Sequence, residues 1–171
     1  MIARIIVWFI LLFGGLIAAV ALDLRFFRTL FFSPSFHIVS SFAGLALLRL
    51  VMNASRKTGR LLARKGRVGK LPRMETNRLV TTGIYGCMRH PMHLGLLFFP
   101  LAVGLVAGSP SFILIFAPFE AIFILAMLKL YEEPGAIRKF GDEYRAYQKQ
   151  VSMFDFSPEC LKELFLRRNE R

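Results

Sequence analysis

A long uncharged segment near the N-terminus is the feature that most restricts how this chain can fold. From Ile5 to Leu22 the sequence has 18 consecutive residues without a charge. A helix needs about 20 predominantly apolar residues to cross the roughly 30 Å hydrocarbon core of a bilayer. We therefore predict that this segment spans a membrane. A cleaved signal peptide is the alternative, since Arg4 resembles a charged n-region, but no clear small-x-small site precedes Asp23.

Three further apolar segments follow, at about Ser35 to Met52, Met92 to Ala107 and Ser111 to Tyr131. Pro91 suits the first position of the third helix, where its missing N–H costs nothing. The turn Gly108-Ser109-Pro110 is too short for anything but an antiparallel hairpin. The fold class predicted is all-α, a polytopic membrane helical bundle of about four transmembrane helices with amphipathic C-terminal helices in the cytosol.

The apolar and polar segments predict a single membrane domain, residues 1–171, in four parts. The first two spans occupy 1–54, a cytosolic basic loop and polar motif 55–91, the helical hairpin 92–131, and a cytosolic cap and tail 132–171. Pro134 and Gly135 predict that the fourth span ends beside them. An amphipathic helix is expected at Ala136 to Val151, and a last short helix is expected to open at Ser157-Pro158-Glu159.

The net charge of +12 is concentrated between Ser55 and Arg73, which holds eight basic residues and no acid. Short loops rich in Lys and Arg stay in the cytoplasm. We therefore predict an integral membrane protein, of the inner or cytoplasmic membrane in a bacterium or archaeon, with both termini cytosolic. In a soluble protein this charge would suggest nucleic acid, but beside apolar spans it predicts no nucleic-acid partner. Membrane lipids are an expected partner, because the same residues could hold anionic headgroups.

Three isolated residues carry weaker expectations. Cys87 and Cys160 predict neither a disulfide framework nor a metal site, and no metal is expected. Glu120 lies near the middle of the fourth span, where an ionisable residue normally faces the bundle and has a partner.

Two polar clusters flank the hairpin on the cytosolic side, Asn77 to His93 before it and Glu132-Glu133 after it. The tight turn brings both clusters together, so we predict a pocket between them. Paired carboxylates at a helix C-terminus repel each other and the helix dipole, so a cationic ligand, or Arg and Lys from the basic loop between Ser55 and Arg73, should compensate them, unless both are simply hydrated. The N–H groups at the start of the Pro91 helix could bind an anionic group.

The segment Leu79 to Gly95, with Arg89-His90-Pro91 inside it, resembles the signature of the isoprenylcysteine carboxyl methyltransferase family and of related bacterial and phospholipid methyltransferases. Those proteins carry an Arg-His-Pro-x-Tyr element that opens a membrane helix. Paired glutamates and a Phe-Gly-x-x-Tyr-x-x-Tyr element follow a helical hairpin. Here these are Glu132-Glu133 and Phe140 to Tyr147, in the same order. The resemblance covers about Leu79 to Val151.

The resemblance implies a methyltransferase that depends on S-adenosyl-L-methionine and acts on a lipophilic acceptor entering from the bilayer. It places the donor-binding motif within residues 55–91, and Glu132 would hold the donor's amino group. Tyr85 would stack on adenine or face the sulfonium, unless it is an interfacial anchor. The implied donor-binding residues are Asn77, Arg78, Leu79, Val80, Tyr85, His90, Pro91, Met92, His93, Glu132 and Glu133. The candidate catalytic residues are Arg89, His90 and His93.

Departures from the family pattern bear on the acceptor. His93 replaces the tyrosine of the Arg-His-Pro-x-Tyr element, and Asn77 replaces a histidine often found before the Leu-Val pair. Prenylcysteine enzymes place an arginine four residues before the first glutamate to meet the substrate carboxylate, whereas this chain has Leu128 there, with Lys129 alongside. A prenylcysteine-like carboxylate is therefore less favoured than a phospholipid amine or a small lipophilic molecule. For an amine, neutral His90 or His93 could accept the proton.

Two other function classes remain as alternatives. Membrane sterol reductases share a similar helical arrangement and use NADPH, but they usually have more spans than this chain offers. A noncatalytic membrane protein that binds a lipid or partner could keep the motif for packing. The sequence leaves the oligomeric state open.

Overall fold

The computed structural model describes residues 2–70 and 75–165, with side chains from residue 6 onward. These residues form helices and connecting segments, without a strand among them. The predicted basic residue Arg73 and the tail Arg167 to Arg171 lie outside the described residues. In chain order the α-helices are α1 Ile2–Phe26, α2 Arg28–Phe31, α3 Pro34–Lys65, α4 Ile84–Cys87, α5 Pro91–Ala107, α6 Ala117–Met127, α7 Glu133–Gln150 and α8 Pro158–Phe165. Two π-helical segments, Phe112–Phe116 and Leu128–Glu132, flank α6.

Three helical stretches are long and apolar enough to cross a membrane, namely Ile6–Phe26, Pro34–Lys65 and Phe112–Gln150. Helix α5 is as apolar as these stretches but has only 17 residues. A helix of this length can cross a bilayer if the bilayer thins locally or if polar side chains at the helix ends extend to the interface. The prediction of an all-α membrane helical bundle is confirmed, and the chain is an integral membrane protein.

Two predicted helix ends are wrong. The basic segment does not begin a loop at Ser55, because α3 stays helical as far as Lys65. Leu, Ala, Arg and Lys are good helix formers, and basic residues in the last turn suit the negative end of the helix dipole. The fourth span also continues through Pro134, which stands in the first turn of α7, directly after the π-helical segment Leu128–Glu132. The helical backbone is interrupted later, at Gly141, with φ 57° and ψ −132°.

The described chain divides into two compact units, each built from separate segments. The first unit comprises Met1–Val51 and Leu96–Ala126. The apolar centre of this unit is formed by Leu12 and Ala19 of α1 together with Phe112 and Ala117. Small residues allow its helices to approach closely. A Cβ on Gly44 of α3 would lie 2.6 Å from the main-chain nitrogen of Val106 in α5.

Asp23 is fully buried in the first unit, although the sequence places it close to an expected exposed connection. Its carboxylate accepts a hydrogen bond from the Ser109 hydroxyl and another, 2.7 Å long, from the Ser111 N–H. The predicted turn between the third and fourth spans is confirmed, with Gly108 at φ 63°. Asp23 therefore fastens the end of α1 to this turn.

Glu120 is 1% exposed within the first unit, as its position in the fourth span predicts. The expected partner is not found, since neither carboxylate oxygen has a hydrogen-bond partner among the described residues. Its Oε1 lies 3.5 Å from where a Cβ on Gly15 would stand, so a glycine in α1 leaves the space that the carboxyl group uses.

The second unit comprises Met52–Gly95 and Met127–Arg171. A disulfide joins Cys87 of α4 to Cys160 of α8, with Cα atoms 5.8 Å apart. The expectation that these two cysteines indicate no disulfide is wrong, because the fold brings together residues 73 positions apart and spacing alone could not show this. Lys57 supports the same packing by donating from Nζ to the Glu163 carbonyl at 3.0 Å. The prediction of a single domain stays a prediction.

Candidate active site

An ion pair between Arg89 and Glu133 connects the two predicted polar clusters within the second unit. The Arg89 guanidinium donates to Glu133 Oε1 from Nε at 3.0 Å and from Nη2 at 2.7 Å. Both side chains are about nine-tenths buried, with exposures of 10% and 12%. A guanidinium that donates twice to a carboxylate forms one of the stronger and more directional contacts in proteins. The predicted compensation of the acidic pair by a basic residue is thus found for Glu133, although the base is Arg89 and not part of the basic loop.

The segment that follows α7 accepts hydrogen bonds from Arg89 and His90. The main-chain N–H groups of Arg89 and His90 donate to the carbonyls of Ser152 and Met153, at 2.9 and 3.2 Å. Arg89 Nη1 donates to the Val151 carbonyl at 2.5 Å. These bonds satisfy buried donors that otherwise would cost free energy. The segment after α7 therefore holds the start of α5 in place through main-chain and side-chain hydrogen bonds.

His90 lies beside the ion pair and shares its carboxylate. His90 Nε2 is 3.2 Å from Glu133 Oε1 and 3.4 Å from the Tyr144 hydroxyl. Burial lowers the pKa of the His90 imidazole below its usual value, and the negative charges of Glu133 and Glu132 offset this only in part. His90 is therefore neutral near pH 7 and able to accept a proton.

Two tyrosines of α7 complete the support. Tyr144 and Tyr147 are both buried, and the Tyr147 hydroxyl donates to the main-chain carbonyl of Tyr85 in α4. Tyr85 itself is 6% exposed, and burial, with Tyr147 nearby, raises the pKa of its hydroxyl. Its ring thus lies in the interior of the unit in this structure, so the predicted stacking on adenine stays a prediction.

The donor-binding segment before α4 is anchored at its start. The N–H groups of Asn77 and Arg78 donate to the Gly66 carbonyl, at 2.9 and 3.2 Å. The Asn77 amide also bonds both main-chain groups of Val68, accepting at 2.8 Å and donating at 2.9 Å. Asn77 and Arg78 are exposed, Leu79 is half-buried and Val80 is buried. In this structure the Asn77 side chain therefore stabilises the loop that follows α3.

The start of α5 and the end of the second π-helical segment supply the other predicted residues. Pro91 is buried, whereas Met92 and His93 are half-buried, and the His90 and His93 rings meet edge to face with centroids 5.4 Å apart. Glu132 is exposed and its charge acts on His90. Among the predicted residues, the structure brings Arg89, His90, His93, Glu132 and Glu133 together, while Asn77 and Arg78 have their bonds with the end of α3.

Sequence reasoning missed Tyr144, Tyr147 and Gln148 as members of this cluster. Gln148 Nε2 donates to Glu133 Oε2 at 3.2 Å. The signal for the tyrosines was available, because both belong to the Phe-Gly-x-x-Tyr-x-x-Tyr element and to the buried face of α7. Gln148 carried no such signal. Leu128, at the position of the prenylcysteine enzymes' arginine, is 1% exposed. Within the described ranges no group of three His, Cys, Asp or Glu side chains is arranged for a metal ion.

Comparison with known proteins identifies the class of membrane protein to which this fold and cluster correspond. The sequence profile of phospholipid methyltransferases matches residues 39–143, which is more than half of the chain. The chain therefore belongs to the phospholipid methyltransferase family. The matched region contains the Arg-His-Pro element and both glutamates, so the ion pair lies within it.

A curated relative shows a narrower similarity. Methanethiol S-methyltransferase 1 of Bradyrhizobium diazoefficiens is 40% identical over 77 residues, covering 44% of this chain and 25% of the relative. The match thus spans about a quarter of the relative's length. No solved structure matches the chain at a significant level.

Proposed function

We propose that this protein is a membrane methyltransferase that transfers the methyl group of S-adenosyl-L-methionine to a lipophilic acceptor at the cytosolic interface. The observation that carries the proposal is the Arg89–Glu133 ion pair, because it joins both halves of the family motif at one place. The family match supports the reaction class, and the cluster supplies the residues that the reaction needs.

The chemistry of the cluster fits the donor, which carries an ammonium, a carboxylate and a methyl group on a sulfonium. Glu132 is exposed and offers a carboxylate for the ammonium. The first turn of α5, from Pro91, presents main-chain N–H groups that have no acceptor within the helix, and these suit the donor's carboxylate. Glu133 has a different role in this proposal, since Arg89, His90 and Gln148 already share its oxygens. It positions Arg89 and His90.

Methyl transfer is a direct displacement, so the residues mainly have to align the acceptor and exclude water. An amine or thiol acceptor also gives up a proton as its new bond to carbon forms. A neutral His90 that donates its Nε2–H to Glu133 leaves Nδ1 as the proton acceptor. Tyr144 holds the same ring from a second side. His90 is thus assigned as the base, and His93 packs against it.

The acceptor proposed is an amine or a thiol on a lipophilic molecule. The family is named for phospholipid acceptors and the relative for methanethiol, and both acceptor classes carry a proton on the nucleophilic atom. A prenylcysteine-like carboxylate is not supported, because the buried apolar Leu128 replaces the arginine that would bind it. The basic end of α3 supports an orientation with this unit and both termini in the cytosol.

The test begins with donor binding. Purified protein in lipid nanodiscs is titrated calorimetrically with S-adenosyl-L-methionine, then incubated with methyl-labelled donor and either phosphatidylethanolamine or a long-chain thiol, and the products are identified by mass spectrometry. Labelled lipid amine or thioether supports the proposal and identifies the acceptor class. Absence of donor binding would show that the motif has a noncatalytic role.

A further inference from the structure

The end of α3 carries an exposed row of arginines that the proposed function does not use. Arg56, Arg60 and Arg64 follow one another at four-residue spacing, which places them on one face of the helix, and all three are exposed. None of them has a hydrogen bond or ion pair with the described part of the chain. We call these three residues the arginine face.

The neighbouring lysines point elsewhere and are used within the second unit. Lys57 Nζ donates to the Glu163 carbonyl at 3.0 Å, and Lys65 Nζ donates to Thr82 Oγ1 at 3.1 Å. The basic residues at the end of α3 thus fall into two groups. The lysines connect the helix to α8 and to the segment before α4, whereas Arg56, Arg60 and Arg64 have no hydrogen bond or ion pair with the residues that the structure describes.

The arginine face starts where the lipid-facing surface of α3 ends. Met52 is the last large apolar residue of this helix that is exposed. With a rise of about 1.5 Å per residue, Arg56, Arg60 and Arg64 lie roughly 6, 12 and 18 Å further along the axis. The headgroup layer is about 5 to 8 Å thick on each side of the hydrocarbon. With Met52 taken as the edge of the hydrocarbon, Arg56 falls within this layer, Arg60 just beyond it, and Arg64 about one Debye length outside the layer.

The charge on this face is uncompensated within the sequence around it. No acidic residue occurs between Asp23 and Glu75. Like charges four residues apart on a helix repel each other, and the helix dipole offsets this only over the last turn. This stretch of sequence therefore supplies no acidic side chain to balance the three guanidinium groups, and anions from the surroundings can do so.

We propose that Arg56, Arg60 and Arg64 form a binding surface for the headgroups of anionic phospholipids in the leaflet from which α3 emerges. Guanidinium groups bind phosphate oxygens bidentately, and each basic residue near a charged membrane surface strengthens association about fivefold. The effect decreases with distance from the headgroups, so Arg56 contributes most and Arg64 least. This proposal concerns lipid association and does not depend on catalysis.

The test measures lipid selectivity. The protein is placed in phosphatidylcholine nanodiscs with a trace of spin-labelled phosphatidylglycerol or spin-labelled phosphatidylcholine, and the immobilised fraction of each is compared. The triple variant R56Q/R60Q/R64Q is expected to lose at least tenfold of the preference for phosphatidylglycerol. Among the single variants, R56Q is expected to have the largest effect and R64Q the smallest. The matched control is R138Q/K149Q, which removes exposed charges from α7 and should keep the preference.

Three further measurements keep the result interpretable. The triple lysine variant R56K/R60K/R64K should restore most of the preference, because it keeps the charge. Thermal unfolding of the triple glutamine variant should match that of the unmodified protein, since all three side chains are exposed. Inorganic pyrophosphate is added to the same nanodiscs as a free anion. Two results would overturn the proposal. The first is a triple glutamine variant that prefers phosphatidylglycerol as strongly as the unmodified protein does. The second is displacement of phosphatidylglycerol by low pyrophosphate concentrations, which would indicate a site for soluble anions.

Discussion

Arg89 Nη2 lies 2.7 Å from Glu133 Oε1, although 44 residues separate the two positions in the chain. Together with the main-chain bonds to Ser152 and Met153, this contact holds His90 and the start of α5 in place. It also separates the paired glutamates by role, since Glu133 is bound inside the unit while its neighbour Glu132 is exposed.

The first prediction concerns the stability of this pair. Glu133→Leu should lower the free energy of unfolding by about 3 kcal/mol, because it leaves a buried guanidinium without its counter-ion. Arg89→Met should cost more, since it also removes the bonds to the Val151 and Gln148 carbonyls. The double variant should cost less than the sum. Denaturant titration in detergent measures all three. The exposed pair Arg145–Asp142 is the control and should show almost no effect. If the loss of unfolding free energy in the double variant equals the sum of the two single losses, Arg89 and Glu133 are not energetically coupled.

The second prediction concerns the donor. Glu132→Gln should weaken binding of S-adenosyl-L-methionine about 10- to 100-fold, the loss expected for a charge-assisted hydrogen bond. Glu143→Gln removes another exposed carboxylate from the same region and should leave the affinity as it was. Calorimetric titration distinguishes the two variants. Unaltered donor affinity in the Glu132 variant would refute the role assigned to this residue.

The third prediction concerns pH. The pKa of His90 is lowered in the folded protein, so the unfolded chain takes up a proton there at a higher pH than the folded chain does. Stability is therefore fully present above the ordinary histidine value of about 6.5 and falls as the pH drops below it, until the folded pKa is passed. Thermal midpoints measured from about pH 7.5 to 5.5 should decline, and less steeply for His90→Gln. Identical slopes would exclude His90 as a source of the decline.

The fourth prediction concerns Tyr147. Tyr147→Phe leaves the buried Tyr85 carbonyl without its donor and should cost about 1 to 3 kcal/mol of unfolding free energy. Tyr131→Phe is the matched control, because Tyr131 is 55% exposed and its hydroxyl can bond water in either state. Denaturant titration compares the two. A loss at Tyr131 as large as at Tyr147 would mean that the assay reports something other than this hydrogen bond.

The fifth prediction concerns the disulfide. Replacing both cysteines, as in C87S/C160S, should lower the unfolding free energy by about 4 kcal/mol, because the bond closes a loop of some 73 residues in the unfolded chain. Each single serine variant should match the double variant, since each removes the same bond. Denaturant titration gives the free energies, and alkylation under native conditions counts free thiols. Two reactive thiols in the untreated protein would show that the bond is not formed.

Much of the fold could be predicted because apolar runs and turn residues act locally. The uncharged run from Ile5, Pro91 at a helix start and Gly108 in the tight turn each have one good structural solution. Helix ends were harder, since Pro134 is compatible with both a stop and a first turn. In the structure Pro134 follows a π-helical segment, which no local pattern indicated.

The site was predictable to the extent that the motif itself specifies it. The two polar clusters flanking the hairpin do meet, since Arg89 and His90 both contact Glu133, while the roles assigned to these residues stay predictions. The partners of each residue could not be predicted, because they depend on side-chain packing between distant segments. Gln148, the carbonyls of Val151 to Met153, and the pairing of Cys87 with Cys160 all belong to this group.

The bonds of Asp23 imply an order for biosynthesis. Its acceptor oxygens are satisfied by Ser109, which lies 86 residues further along the chain, and by Ser111. While the ribosome is still producing the intervening residues, the carboxylate has water as its only source of donors and must remain at the aqueous boundary. Helix α1 is therefore held with Asp23 at the membrane surface at first. It can reach its final packed position only when the hairpin of α5 and α6 enters the membrane.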